Sequence, residues 1–216
     1  MAKAQETVLE VNLSALEHNY VYLKSKLQKK TKFLAVVKAF GYGSDAAIIS
    51  QKLQQLKVDY FAVAYTSEGV ALRKAGIIAP IIVFHPQIVN FKTIINHCLE
   101  PSLYSFKVLK AFQKAAKEFS QIDYPVHVKF NTGLNRLGFN DTNLEEVIST
   151  IKATSFIKVK SVFSHLAASE DFKEVLFTKN QIASFKIIVD TFIKGIGYKP
   201  IIHLCNTSGI LNYPEA

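Results

Sequence analysis

A (β/α)8 barrel of the TIM type, an α/β fold incomplete at its carboxyl-terminal end, is the architecture this sequence predicts. Three observations point there. Short, nearly pure apolar runs recur along the chain, as strands buried on both faces of a parallel sheet require. Segments with apolar residues at helical spacing lie between them, and the connections are short. Chemistry-bearing polar residues stand at the carboxyl ends of four of the runs, the edge where such barrels carry their sites. Seven barrel strands can be counted from residue 33 onward, and the eighth is either 8–11 or absent. A flat doubly wound sheet is the alternative, but no G-x-G-x-x-G fingerprint follows a strand and no Walker-type loop occurs.

The 216 residues, 49% of them hydrophobic, suffice for one large domain. Residues 8–11 alternate like a short strand, and Asn12 or Ser14 is placed to cap a helix over Leu16, Tyr20, Leu23 and Leu27. The run 33–37 reads as a fully buried strand ending on Lys38, and Gly41 and Gly43 break it before helical spacing begins over 46–56. Residues 60–64 form the next strand. Thr66 or Ser67 caps a helix that ends near Gly76, and Pro80 marks the turn into the strand 81–84. A helix over 91–97, a short strand over 99–104 despite Pro101, and an amphipathic helix over 106–119 follow. The strand 126–130 runs into a loop, 131–139, with two glycines and one arginine, after which Asn143 opens a helix through Ile151. The strand 159–163 leads to Ser164 and His165, 175–192 is a long helix, and the strand 201–204 leads to Cys205, Asn206, Thr207, Ser208 and Gly209.

A net charge of +9 raises the question of a nucleic-acid partner, which wants basic residues clustered on a face or interleaved with aromatics. Here they are dispersed, and only Arg73 and Arg136 offer the planar fork that suits phosphates and bases, so no nucleic-acid role is expected. No segment has the length and purity of a membrane span, and the first residues lack the apolar centre of a signal peptide, so a cytoplasmic protein is expected. Cys98 and Cys205 lie far apart in apolar contexts, which predicts buried free thiols and no structural metal.

The four strand ends hold Lys38 with Tyr42, Lys129 with Arg136, His165, and Asn206 with Thr207. Closing the sheet would bring them to one mouth. Taken singly each has a plain structural reading: a strand-end lysine reaching solvent, a satisfied histidine, a turn that caps the next helix. Taken together they equip a site. A lysine desolvated at a strand end is a usable amine nucleophile or base. Lys38 would hold a carbonyl cofactor, the hydroxyls of Tyr42 and Thr207 a phosphate, His165 would lie against a ring, and Arg136 would pair with an oxyanion or a substrate carboxylate. That set of groups suits pyridoxal 5'-phosphate, for which the protein supplies orientation and electrostatics.

The stretch Ala35-Val36-Val37-Lys38-Ala39 followed by Tyr42-Gly43 resembles the cofactor-lysine signature of the alanine racemases. Val128-Lys129 with Thr132-Gly133-Leu134-Asn135-Arg136-Leu137-Gly138-Phe139 is similar to their second signature, and Val162-Phe163-Ser164-His165 and His203-Leu204-Cys205-Asn206-Thr207-Ser208 match their later strands in order. The resemblance implies that Lys38 is the Schiff-base lysine and one of two acid/base groups interconverting L- and D-alanine for peptidoglycan. It implies that Tyr42 and Thr207 contact the phosphate, that Arg136 bonds the cofactor's phenolic oxygen and helps hold the substrate carboxylate, and that His165 packs on the pyridine ring. Asn206 would line the site, and Lys129 is the position that can be carbamylated. Three residues depart from the family pattern: Phe40 replaces an asparagine, Ser44 a histidine, and Asn131 an acid. The family continues beyond the equivalent of Ala216 with another barrel strand and a β-domain, which carries the second base, a tyrosine acting in the partner's site of a homodimer. The 216-residue chain alone is therefore expected to be weakly active or inactive. The alternative function is a stand-alone pyridoxal phosphate-binding barrel that racemises nothing.

Overall fold

The computed structural model describes residues 7–216. Seven strands, β1 (Leu34–Val36), β2 (Tyr60–Val63), β3 (Ile81–Val83), β4 (Glu100–Leu103), β5 (Tyr124–Lys129), β6 (Ile157–Phe163) and β7 (Ile201–His203), form one sheet in sequence order. Every neighbouring pair is parallel. The connections carry α1 (Leu13–Ser25) before β1, then α2 (Lys38–Tyr42), α3 (Ala46–Gln55), α4 (Thr66–Lys74), α5 (Phe91–Asn96), α6 (Phe106–Glu118), α7 (Leu144–Lys152), α8 (Val175–Ile196) and, after β7, α9 (Thr207–Asn212). The sheet curls. Ile201 of β7 packs with Leu34 and Val36 of β1 in an inner cluster around Tyr60, Ala62 and Ile82. The helix-facing residues, among them Val37, Phe61, Val63, Ile81, Val83, Leu103, Val126, Val128 and Val162, belong to the larger outer core. Alternation along each strand thus separates a helix-facing layer from an inward one.

One irregularity moves a functional layer. The β5–β6 ladder slips between Val126 and His127, so that Val126 pairs with Val159 but His127 pairs with Ser161. Ile157, Val159 and Val162 all lie in the outer core. Strict alternation from Val159 would send Ser161 outward too; the extra residue of the bulge, Lys160, turns it inward against His127.

Local chemistry explains the ends of the elements and corrects several expectations. Asn12, not Ser14, caps α1, its Oδ1 accepting from the Ala15 amide at 2.9 Å. Residues 8–11 form no strand; Val8 and Leu9 are exposed and no strand lies beside them, so among the described residues the sheet has seven strands. Neither Thr66 nor Ser67 caps α4. Tyr65 is the cap residue, Glu68 accepts its amide, and Thr66 is the first helical residue with a buried side chain. Cys98 is exposed and Cys205 only partly buried, because Cys98 sits at φ 50° in the turn from α5 into β4, with Ile95 and Leu99 rather than the thiol facing the core. Arg73 is consumed structurally: its guanidinium donates to the carbonyls of Ile77, Ala79, His97 and Cys98. No helix among the described residues is long and apolar enough to cross a membrane.

Candidate active site

Immediately after β1 the backbone does something L-residues avoid. Ala39, Phe40, Gly41 and Tyr42 have φ of 51°, 54°, 64° and 56°, so the single turn α2 is left-handed, with Gly41 N donating to Val37 O and Gly43 N to Ala39 O. Each non-glycine residue there costs roughly 1–2 kcal/mol. Strain of this kind persists only where surrounding contacts over-determine it. Here they do. The Glu68 carboxylate from α4 accepts from Ala39 N at 2.6 Å, Ala64 N at 2.7 Å and Tyr65 N at 2.9 Å, tying the turn to the end of β2. Glycine at 41 also eases the packing, since a Cβ there would stand 3.0 Å from the Ala46 amide nitrogen. The result holds the half-buried Lys38 at the sheet's carboxyl edge, its Nζ 5.9 Å from the centre of the exposed Tyr42 ring.

The loop after β5 is fixed in another way. Phe139 returns to bridge Phe130, its amide donating to Lys129 O and its carbonyl accepting from Asn131 N. Asn131 Oδ1 accepts from the amides of Gly133 and Asn135, while Nδ2 donates to Asn135 Oδ1 at 2.9 Å. A carboxylate at 131 would make the first two bonds and not the third, so the departure from the family acid has a use here. Gly138 lies so close to the chain that a Cβ would stand 2.6 Å from Asn131 N. This loop presents Arg136 in an exposed position, while Lys129 beneath it is buried, its Nζ 5.8 Å from the centre of the Phe163 ring.

His165 follows β6 and is partly buried. Gln181 of α8 places it, donating to His165 O and accepting from Ala167 N. Electrostatics show which groups converge. Lys129 falls from 10.5 to about 8, first through burial and then through Arg136 and Lys38. His165 is lowered by burial, then by Lys129, Arg136 and Lys38, with Glu170 opposing. Lys38, Lys129, Arg136 and His165 therefore share one positive field at the mouth. Asn206 joins it less directly, and among the described residues Thr207 makes no hydrogen bond with it. Asn206 Oδ1 caps α9 by accepting from Gly209 N at 2.8 Å and binds Ser169 Oγ at 2.7 Å, which ties it to the loop after His165. Thr207 is exposed at the first position of α9.

Strand-end reasoning passed over residues it should have reached. His85, after β3, stacks on Tyr104, after β4, with ring centres 5.7 Å apart, and Tyr65, after β2, meets His85 edge-on. The rule that selected His165 selects all three. Glu68 carries no such signal, because its role depends on a contact between α4 and a turn 29 residues earlier.

Of the groups at this edge of the sheet, Lys38 offers the amine with the Tyr42 ring near it, the cations ask for an anionic ligand, and Thr207 offers a hydroxyl at the start of α9. A cofactor carrying a phosphate and an aldehyde fits that donor set. The sequence profile of the family described as "Alanine racemase, N-terminal domain" matches residues 11–216. Alanine racemase 1 of Oceanobacillus iheyensis is 32% identical over 212 residues, 96% of this chain and 55% of that protein. The alanine racemase of Thermodesulfovibrio yellowstonii is 34% identical over 210 residues, again 96% of this chain and 55% of the relative. The structure of alanine racemase from Clostridium difficile 630 superposes with a TM-score of 0.88 at 30% identity, covering 95% of this chain and 57% of that one. A further structure of that racemase is a complex with cycloserine. The chain spans about half the length of the curated relatives it matches. With its seven parallel strands, its inward bulge and its cationic mouth, the chain belongs to the alanine racemase N-terminal domain family.

Proposed function

We propose that this chain is the pyridoxal phosphate-binding barrel of a cytoplasmic alanine racemase, a homodimer when whole, that interconverts L- and D-alanine for peptidoglycan synthesis. The observation that carries this reading is the shared positive field of Lys38, Lys129, Arg136 and His165 at the carboxyl edge of the sheet. When bound, pyridoxal phosphate supplies an electron sink for a carbanion next to nitrogen. The chain's own residues do the rest. Lys38 binds the cofactor and moves a proton at the substrate's Cα, Tyr42 and Thr207 hydroxyls bond the phosphate, and His165 packs against the ring. Arg136 bonds the phenolic oxygen and presents its planar fork to the substrate carboxylate. Asn206 holds the loop beneath them through Ser169 and the start of α9. Lys129, with its amine drawn down to about 8, holds an appreciable neutral fraction near physiological pH and is a nucleophile for carbon dioxide. Its carbamate would place a negative charge against Arg136.

Adding pyridoxal phosphate to the purified chain and reducing with borohydride should give one adduct, mapped to Lys38 and missing from Lys38→Ala. No adduct, or one on another lysine, rejects the reading. Racemisation also needs an acid/base group on each face of the planar carbon, and the family resemblance assigns the second to a tyrosine of a following β-domain. The 216-residue chain alone should then exchange the alanine α-proton faster than it forms D-alanine, because one positioned acid/base group is worth about a hundredfold to ten-thousandfold. Equal rates would place both bases within the chain.

A further inference from the structure

A chain of hydrogen bonds crosses the interior of the barrel and has no part in the steps above. Glu100 opens β4, and its Oε2 lies 2.7 Å from Nε2 of His127 on β5. Nδ1 of His127 lies 2.6 Å from Oγ of Ser161, the residue that the β6 bulge turns inward. That oxygen lies 3.1 Å from Nε2 of His203, the last residue of β7. Glu100, His127 and Ser161 are all buried, His127 completely.

The proton count gives the chain a direction. A carboxylate has no proton to give, so His127 Nε2–H donates to Glu100. A neutral imidazole has a single N–H, which leaves Nδ1 to accept the Ser161 hydroxyl proton. With that proton committed, Ser161 Oγ accepts from His203 Nε2–H. Burial, then the neighbouring imidazoles of His127 and His165, hold His203 down at about 3, so it is neutral and Nδ1 keeps a bare lone pair. The reverse direction requires one more proton on the Glu100–His127 pair, on the imidazole or on the carboxyl group, and it would put the His203 proton on Nδ1. The other titratable groups that feel Glu100 are Tyr60, Tyr124 and Arg73.

We propose that Glu100 is a positioning residue of the candidate active site, which acts through His127 and Ser161 to fix His203 as the Nε2–H tautomer and so keep its Nδ1 an acceptor. The His203 ring is well placed to matter. It stacks on Phe163 at 4.7 Å and 6°, and Phe163 is the ring beneath Lys129. An acceptor there offers a hydrogen-bond donor a partner and adds no charge to a mouth already crowded with cations. The importance of this acceptor to a cofactor rests on the function proposed above; the tautomer does not.

Long-range 1H–15N correlation spectra of the labelled chain at pH 8 test the tautomer directly. His127 and His203 should each show a single Nε2–H form with widely separated nitrogen shifts. Ser161→Ala should shrink that separation at His203 toward the averaged values of an unconstrained imidazole, and Ser161→Thr, which keeps the hydroxyl, should restore it. Glu100→Gln, whose amide can donate or accept, should loosen His203 in the same way. A His203 carrying its proton on Nδ1 in the wild type, or shifts unmoved by Ser161→Ala, would overturn the proposal. Borohydride trapping at Lys38 runs alongside, so that failure of cofactor binding with an intact tautomer pattern counts against the proposed function alone.

Discussion

Along β1, β2 and β3 the inward layer is Leu34, Val36, Tyr60, Ala62, Ile82 and Phe84, whereas along β4 to β7 it holds Glu100, Ser102, His127, Lys129, Ser161, Phe163, Ile201 and His203. The two sides of one barrel interior solve the filling problem differently. The first packs hydrocarbon, is indifferent to orientation, and derives its stability from area and volume. The second holds a network, Glu100, His127, Ser161 and His203 each bonded to the next, while the buried Ser102 Oγ beside it has no partner among the described residues; orientation matters there, because an unpaired polar group in a low-dielectric interior is costly. The strained Lys38 turn stands over the first side, and the cations Lys129 and Arg136, with the imidazole of His165 that they hold toward its neutral form, over the second. A packed floor holds the amine still, while a hydrogen-bonded floor sets protons.

Truncation separates the two behaviours. Ile82→Ala, at a fully buried position, should cost about 2–5 kcal/mol in urea unfolding and leave the His203 nitrogen shifts unchanged. Ser161→Ala removes one oxygen atom, yet it should cost about 1–3 kcal/mol, because two imidazole nitrogens lose their shared partner. A cost near zero for Ser161→Ala would mean that the polar side is as tolerant as the apolar one, and the distinction would fail.

The sequence makes this difference only half visible. Apolar runs over 33–37, 60–64 and 81–84 announce β1, β2 and β3, and the rhythm of strand and helix announces the parallel order. Strand ends single out Lys38, Lys129, Arg136, His165, Asn206 and Thr207 as candidates, because a polar residue that ends an apolar run has a short list of reasons to be there. Glu100, at the head of β4, and Ser161 gave no such signal. Their function requires register, and the register around Ser161 depends on a bulge at Lys160 that simple alternation does not contain. Residues 8–11 failed in the opposite sense: they alternate correctly, but a strand needs a neighbour, and none is written in four residues.

The polar side should also have a pH signature. Lys129 binds its proton less tightly folded, at about 8, than unfolded, at 10.5. Between those values the unfolded chain holds one proton more than the folded one, so this residue makes stability rise with pH across the window, by on the order of 3 kcal/mol in total. Burial also raises Tyr60 and Tyr124, which takes stability away above about pH 10, so the rise should be read between 8 and 10. In Lys129→Met the rise should disappear, and the variant should exceed the wild type in stability at pH 7 by a margin that shrinks toward pH 10. Parallel wild-type and Lys129→Met curves would show that the buried amine is not strained by its neighbours.

The smallest effect expected is also the most local. Asn131→Asp keeps an oxygen to accept from Gly133 and Asn135 but removes the donor that reaches Asn135 Oδ1, and it sets two oxygens against each other there. The loss of one partly exposed hydrogen bond should cost about 0.5–1.5 kcal/mol. Against this stands an electrostatic gain, since the new carboxylate enters a loop that carries Arg136 and begins two residues after Lys129. A negative charge favours the protonated amine, so the titration midpoint of Lys129 in the folded chain, about 8 and the point where stability begins to rise, should move up by up to about one unit. The two effects are measured separately, the first by urea unfolding at pH 6, where Lys129 is protonated in both states, and the second by the pH at which stability begins to rise. A stability loss with no movement of that midpoint would assign Asn131 to loop geometry alone. Movement of the midpoint with almost no loss would mean that the charge of the mouth, rather than its hydrogen bonding, decides which residue belongs at 131.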